Sequence, residues 1–135
     1  MKNKAVLESA DVKAVLAAAE AEAIKNNWAV AIAVVDDGGH LLGFSRLDNV
    51  APVSAHIAQS KAHTSALGCR ESGVYEKMIN DGRVSFLSAP AIDGLLEGGV
   101  PVMKDGQCIG AVGVSGVKST EDAQIAKAGV AALGL

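Results

Sequence analysis

Aromatic side chains are scarce: Trp28, Phe44, Tyr75 and Phe86 are the only four among 135 residues. A basic surplus is missing too, since 12 lysines and arginines face 15 aspartates and glutamates for a net charge of −3. Without a basic stripe carrying interleaved rings, the chain has no means of tracking a phosphate backbone, and nucleic acid is excluded as a partner. No apolar run approaches the roughly twenty residues that cross a bilayer, so no membrane partner is expected. The opening segment MKNKAVLESADVK holds no apolar block of signal-peptide length, which points to a cytoplasmic protein. Cysteine is limited to Cys69 and Cys108, far apart and outside any Cys-x-x-Cys pattern, so two reduced, partly buried thiols are expected. Cys69 is followed by Arg70 and Glu71, opposite charges whose effects on the thiol offset each other, and no Gly-x-Ser-x-Gly nucleophile motif occurs.

What is present is a chain that is half apolar and long enough for one domain spanning residues 1–135 with one core. Its organising stretch is AVAIAVVDDGGHLLGFSRLD, Ala29 to Asp48. Ala29 to Val35 carries no polar residue on either face and reads as a strand covered on both sides. Asp37-Gly38 or Gly38-Gly39 can supply two φ > 0 positions for a tight hairpin turn. In the returning strand, period-2 alternation puts His40, Leu42, Phe44, Arg46 and Asp48 on one face.

Before this hairpin, Ser9 to Lys25 reads as an amphipathic helix with Ser9 as N-cap and a stripe of Val12, Val15, Leu16, Ala19, Ala23 and Ile24. After it, Pro52 opens a second helix, PVSAHIAQSKAHTSALGC, whose small apolar residues suit close approach to a sheet. His56, Gln59, Ser60 and His63 share one flank of that helix. A shorter helix is expected over Glu71 to Ile79 with Val74, Met78 and Tyr75 inward, followed by extended pieces around Val84 to Leu87 and Ile92 to Leu96. Val100 to Met103 and Cys108 to Ser115 form a second hairpin turned by Asp105-Gly106. A last helix starts at Ser119 or Thr120 and buries Ile125, Ala126, Gly129, Val130 and Leu133. The order α-β-β-α-α-β-β-α, with two hairpins and flanking helices, defines an α+β fold on an antiparallel sheet.

Several chemistries are excluded by spacing. His56 and His63 stand about 10.5 Å apart along the helix axis and cannot share one metal ion within a chain, so no metal site is expected. The glycines from Gly110 to Gly116 match neither phosphate-loop pattern, and Glu121 with Asp122 would repel a polyphosphate at that helix start. Two uses remain open for Arg46, Lys61 and Thr64. They are a surface ion pair of Arg46 with Asp48 plus a solvated lysine stem and a small filler, or a cationic pocket for a carboxylate-bearing ligand where hairpin and helix meet.

VVDDGGHLLGFSRLD, Ser54, KAHTSA from Lys61 to Ala66, GGVPV from Gly98, IGAVGVSG through Gly116 and Asp122 together resemble the GlcG/HbpS family, which includes the C-terminal domain of PduO-type adenosyltransferases. The resemblance runs from the first helix to the last. It implies a profilin-like domain that assembles into homo-oligomers, often octamers, and in some members binds haem. Carried onto this chain, it places Thr64 as a haem-contacting hydroxyl with Lys61 and Arg46 on the propionates, Phe44 beside them, and His63 or His56 competing for the axial position because a hydroxyl is a weak iron ligand. The chain departs from the family in its few rings and in the absence of a secretion signal like that of the extracellular members. Three functions stay open. One is a small-ligand-binding protein with haem as leading ligand. Another is an enzyme or accessory factor for a small organic acid, with Arg46 and Lys61 holding a carboxylate and His56 or His63 moving a proton. The third is a ligand-free scaffold.

Overall fold

A computed structural model describes residues 1–135. Its elements are α1 (Ser9–Lys25), β1 (Ala31–Asp36), β2 (Leu41–Arg46), α2 (Val53–Gly68), α3 (Gly73–Asn80), a 3₁₀ turn (Val84–Ser88), β3 (Gly99–Lys104), β4 (Gln107–Ser115) and α4 (Ser119–Ala131). The strands form one antiparallel sheet in the order β2-β1-β4-β3. The helix and strand order read from the sequence is the observed one.

Strand β1 shows why. Ala31, Ala33 and Val35 pack on one face with Ala58, Ala62 and Ala66 of α2, whereas Ile32 and Val34 join Val15, Ala19, Val112, Val114 and Ile125 on the other. A strand without polar residues is thus sandwiched between α2 and the α1–α4 pair, and truncating Ile32 to Ala should cost about 2–5 kcal/mol. The alanines of α2 let its backbone come down on β4. A Cβ at Gly113 would sit 2.1 Å from the Ala58 carbonyl oxygen and 2.5 Å from the Ala62 nitrogen, so only glycine admits this approach.

The two hairpins turn differently. Asp105 and Gly106 both have positive φ, at 51° and 74°, as a two-residue turn of this kind requires. In the first hairpin only Gly39 does, at 79°, and the β1–β2 register shifts between Val34 and Val35. Its loop is therefore a wider one, closed by Asp36 N–H donating to the His40 carbonyl at 2.9 Å. The Asp36 carboxylate accepts the N–H groups of Gly38 and His40, both at 2.9 Å.

Several local expectations are corrected. The cap of α1 is Glu8, whose N–H donates to Asp11 Oδ2 at 2.8 Å, and Ile24 lies off the buried stripe. In α3 it is Tyr75 that is buried, wedged beneath Gly68, while Val74 is exposed. Val84 to Ser88 winds into a 3₁₀ turn stacked through Phe86 on Tyr75 at 5.1 Å between ring centroids, and Ile92 to Leu96 form no strand. There Gly94 lies against the backbone of Ser60 and Lys61, where a side chain would collide. The thiols differ from each other: Cys69 is exposed and Cys108 is buried.

Candidate ligand-binding cleft

The first hairpin turn, the middle of α2 and the loop around Ala91 enclose an open cleft of about 370 Å³, lined by Val35, Gly39, Leu41, Gln59, Ser60, His63, Ala91 and Asp93. Its chemical centre is His63. The imidazole Nδ1 lies 3.2 Å from the Gly39 carbonyl oxygen. A carbonyl only accepts, so Nδ1 carries the proton and Nε2 of the neutral ring keeps its lone pair. Gly39 is held to this contact from both sides: its φ is positive, and a Cβ would stand 2.3 Å from His63 Nδ1.

Behind His63, its neighbours on α2 anchor the walls. Thr64 is fully buried, and its Oγ1 accepts the Gly94 N–H at 3.1 Å, fastening the loop that brings Ala91 and Asp93 to the rim. Ala91 has φ 66°, a conformation an L side chain adopts at a cost of about 1–2 kcal/mol, and it is held at the cleft mouth. Lys61 is buried with its Nζ donating to Asp122 Oδ2 and to the Val114 carbonyl, each at 3.0 Å. Asp122 Oδ1 in turn accepts the Val117 N–H at 3.1 Å. Burial pushes the Asp122 carboxyl above its ordinary value, and the Lys61 ammonium opposes that shift. This ion pair ties α2 on one side of the sheet to the first turn of α4 on the other.

The convergence of Arg46, Lys61 and Thr64 on one recess is therefore corrected. Lys61 and Thr64 spend their polar atoms inside the protein, and Arg46 sits at the far end of β2, donating from Nη2 to the Val50 carbonyl at 3.3 Å rather than pairing with Asp48. Phe44 is exposed on β2 away from the cleft, and His56 lies exposed on the outer surface of α2. Of the histidine flank read from the sequence, Gln59, Ser60 and His63 come together in the cleft. Sequence reasoning missed Gly39 as the partner of His63, the rim residues Ala91 and Asp93, and Asp122 as the partner of Lys61. The signal for Asp122 was its place in the first turn of α4, which read as a charge repelling a polyphosphate, and nothing local connects it to a lysine 61 positions earlier.

A larger depression of about 480 Å³ over α3 is lined by Glu71, Lys77, Asp81, Glu97 and Lys127, among others. Its charges largely satisfy one another, with Lys77 on Asp81 at 2.7 Å and Lys127 on Glu71 at 3.3 Å. It offers a ligand little that is unpaired.

Fold and cleft together define an α+β protein on one antiparallel sheet, with one imidazole presented at a hairpin turn. The sequence matches the family described as haem degrading protein HbpS-like over residues 7–131, and the chain belongs to that family. It is 57% identical over 115 residues to the Escherichia coli protein GlcG, covering 85% of each chain. Among solved structures, it aligns with a double mutant of Streptomyces reticuli HbpS with a TM-score of 0.90 at 29% identity, over 100% of this chain and 92% of that one. It also aligns with PduOC in its complex with haem, with a TM-score of 0.84 at 25% identity over 95% of each chain. No helix is long and apolar enough to cross a membrane.

Proposed function

We propose that this is a cytoplasmic small-ligand-binding protein whose ligand is haem, taken up at the His63 cleft with Nε2 as the iron-binding atom. The observation that carries the reading is the Nδ1–H of His63 held by the Gly39 carbonyl. A histidine that ligates a metal almost always donates its other ring N–H in this way, which fixes the tautomer and raises the basicity of the free nitrogen. Val35, Leu41 and Ala91 give apolar wall, and the family description and the PduOC–haem complex agree with the choice of ligand. Haem bound there would supply iron-centred redox and oxygen chemistry. The chain's own part is to hold the imidazole, shield one face and keep the rim loop fixed through Thr64.

One chain does not complete such a site. The only charged residue lining the cleft is Asp93, which would repel a propionate. Arg46 is exposed on β2 and can meet a ligand carboxylate only as a contribution from a second copy. Homo-oligomerisation, with an octamer as the leading assembly, fits the exposed Leu42 and Phe44, which share one face of the edge strand β2. A second reading uses the same tautomer: His63 Nε2 as a general base, with Ser60 and Gln59 beside it, acting on a small organic acid.

Hemin titration separates these readings. Wild type and His56→Ala should give the same sharpened, saturable Soret band, and His63→Ala should weaken binding by at least about tenfold, or 1.4 kcal/mol. Equal hemin binding by wild type and His63→Ala would overturn the proposal. A protein that ignores hemin but turns over a hydroxy acid with a His63-dependent rate would establish the second reading.

A further inference from the structure

Away from the cleft, the end of α2 meets the start of β4, and the two cysteines meet there. The Sγ of Cys69 lies 3.6 Å from the Ala66 carbonyl oxygen, and the Sγ of Cys108 lies 3.7 Å from the same atom. Two thiols 39 positions apart in sequence thus share one acceptor. Sharing that oxygen makes the two sulfurs close neighbours. Cys69 is exposed, Cys108 is buried, and the pair is part of neither the cleft nor the Lys61–Asp122 link.

Two further observations mark the pair. Cys69 is the C-cap of α2 in the left-handed region, with φ 53°, where glycine or asparagine is the usual occupant. A cysteine there is conformationally costly, and its thiol reaches back to the Ala66 carbonyl of the last helical turn. Beside the pair stands the Lys4 ammonium, ion-paired to Asp37 at 2.9 Å; its pKa is raised, first by that hydrogen bond and in smaller part by the two thiols.

We propose that Cys69 and Cys108 are a peroxide-reactive dithiol, with Cys69 the attacking sulfur and Cys108 the resolving one. The Cys69 thiolate attacks the O–O bond of a hydroperoxide, forming a sulfenic acid and releasing the alcohol, or water from hydrogen peroxide itself. Cys108 then attacks the Cys69 sulfur and expels the hydroxyl as water, leaving a disulfide. Two thiols are oxidised, one hydroperoxide is reduced, and the two thiol protons end on the released alcohol and water. A dithiol reductant restores the pair by exchange. Closing the S–S bond to about 2.05 Å needs rotation of the Cys69 side chain, which its exposed position at the helix cap leaves free. Burial pushes the Cys108 thiol up, which suits the sulfur that waits rather than the one that starts.

The test uses the haem-free full chain, hydrogen peroxide and a sulfenic-acid trap such as dimedone. Wild type should lose both thiols together, fall in mass by two hydrogen atoms, remain a single chain on a non-reducing gel, and yield a Cys69–Cys108 linked peptide that a dithiol reductant abolishes. Cys108→Ser should accumulate a dimedone adduct on Cys69, and Cys69→Ser should react at least about tenfold more slowly, since its remaining thiol is buried. The proposal is overturned if wild type accumulates the dimedone adduct as Cys108→Ser does, if oxidation gives only disulfides between chains, or if Cys69→Ser reacts at the wild-type rate.

Discussion

The Lys61–Asp122 pair permits a quantitative test of how α2 is fixed to α4. Both side chains are 3% exposed, so each charge has left water and depends on the other together with the Val114 carbonyl and the Val117 N–H. Replacing Lys61 by Met keeps the aliphatic stem but strands a buried carboxylate, a change that costs about 3–5 kcal/mol. Asp122→Asn strands the ammonium at a similar cost. Against a total stability of about 5–15 kcal/mol, either change alone is severe and should lower Tm by roughly 10–20 °C. The double variant leaves no uncompensated charge, so its cost should fall short of the sum of the single costs by at least about 1 kcal/mol. Equilibrium urea unfolding of the four proteins, followed by circular dichroism, gives the cycle. The sign with pH follows from Asp122, whose folded carboxyl sits above its ordinary value. A group of that kind stabilises the fold below its unfolded pKa and loses the contribution as pH rises through the folded value. The deficit of Lys61→Met should therefore shrink on acidification, as the stranded carboxyl takes up a proton. Single costs below about 1 kcal/mol, or costs that simply add, would refute the assignment of this pair as the tie between the layers.

Thr64→Val is isosteric but leaves the buried Gly94 N–H without an acceptor; unfolding should show a loss of about 1–3 kcal/mol, and hemin binding should weaken as the rim loop loosens. Gly39→Ala should cost about 1–2 kcal/mol through its positive φ and also abolish hemin binding by displacing His63, whereas Gly106→Ala, strained alike but with open space around it, should lose stability and keep its ligand. Burial pushes the Asp36 carboxyl up, but the N–H groups of His40 and Gly38 and the His40 imidazole outweigh it and hold the group below the ordinary 3.8. Its contribution is present above the unfolded value and is lost as pH falls through the folded one, so Asp36→Asn should flatten the acid limb of a stability-versus-pH curve measured by thermal melting.

Elements with strong local signals were legible in the sequence. The all-apolar stretch at β1 demanded cover on both faces, Asp105-Gly106 named its own turn, and the alanines of α2 announced close packing. The wider first turn was not legible, because three adjacent residues, Asp37, Gly38 and Gly39, could each occupy the turn, and the structure uses only Gly39 at positive φ. The 3₁₀ turn at Val84–Ser88 was misread as extended because its apolar residues are set by Tyr75 and the loop against α2, contacts no local period encodes. The same limit governs the site. His63 could be picked out from the α2 flank, but whether Lys61 faces a ligand or an aspartate depends on a partner in another layer. A lysine on an alanine-rich helix carries no mark of its burial; Asp122, Gly98 and Gly99, which make room for it and neutralise it, belong to other elements.

If His63 Nε2 binds the iron, as proposed, the ferric complex carries an imidazole nitrogen on its metal. Electron paramagnetic resonance and nitrogen hyperfine spectra of the ferric complex, made with ¹⁵N-histidine-labelled protein, test it most directly. Wild type and His56→Ala should both show labelled imidazole nitrogen bound to iron, and His63→Ala should show none. Labelled nitrogen persisting in His63→Ala, or an iron site without protein nitrogen in wild type, would contradict His63 as the iron ligand.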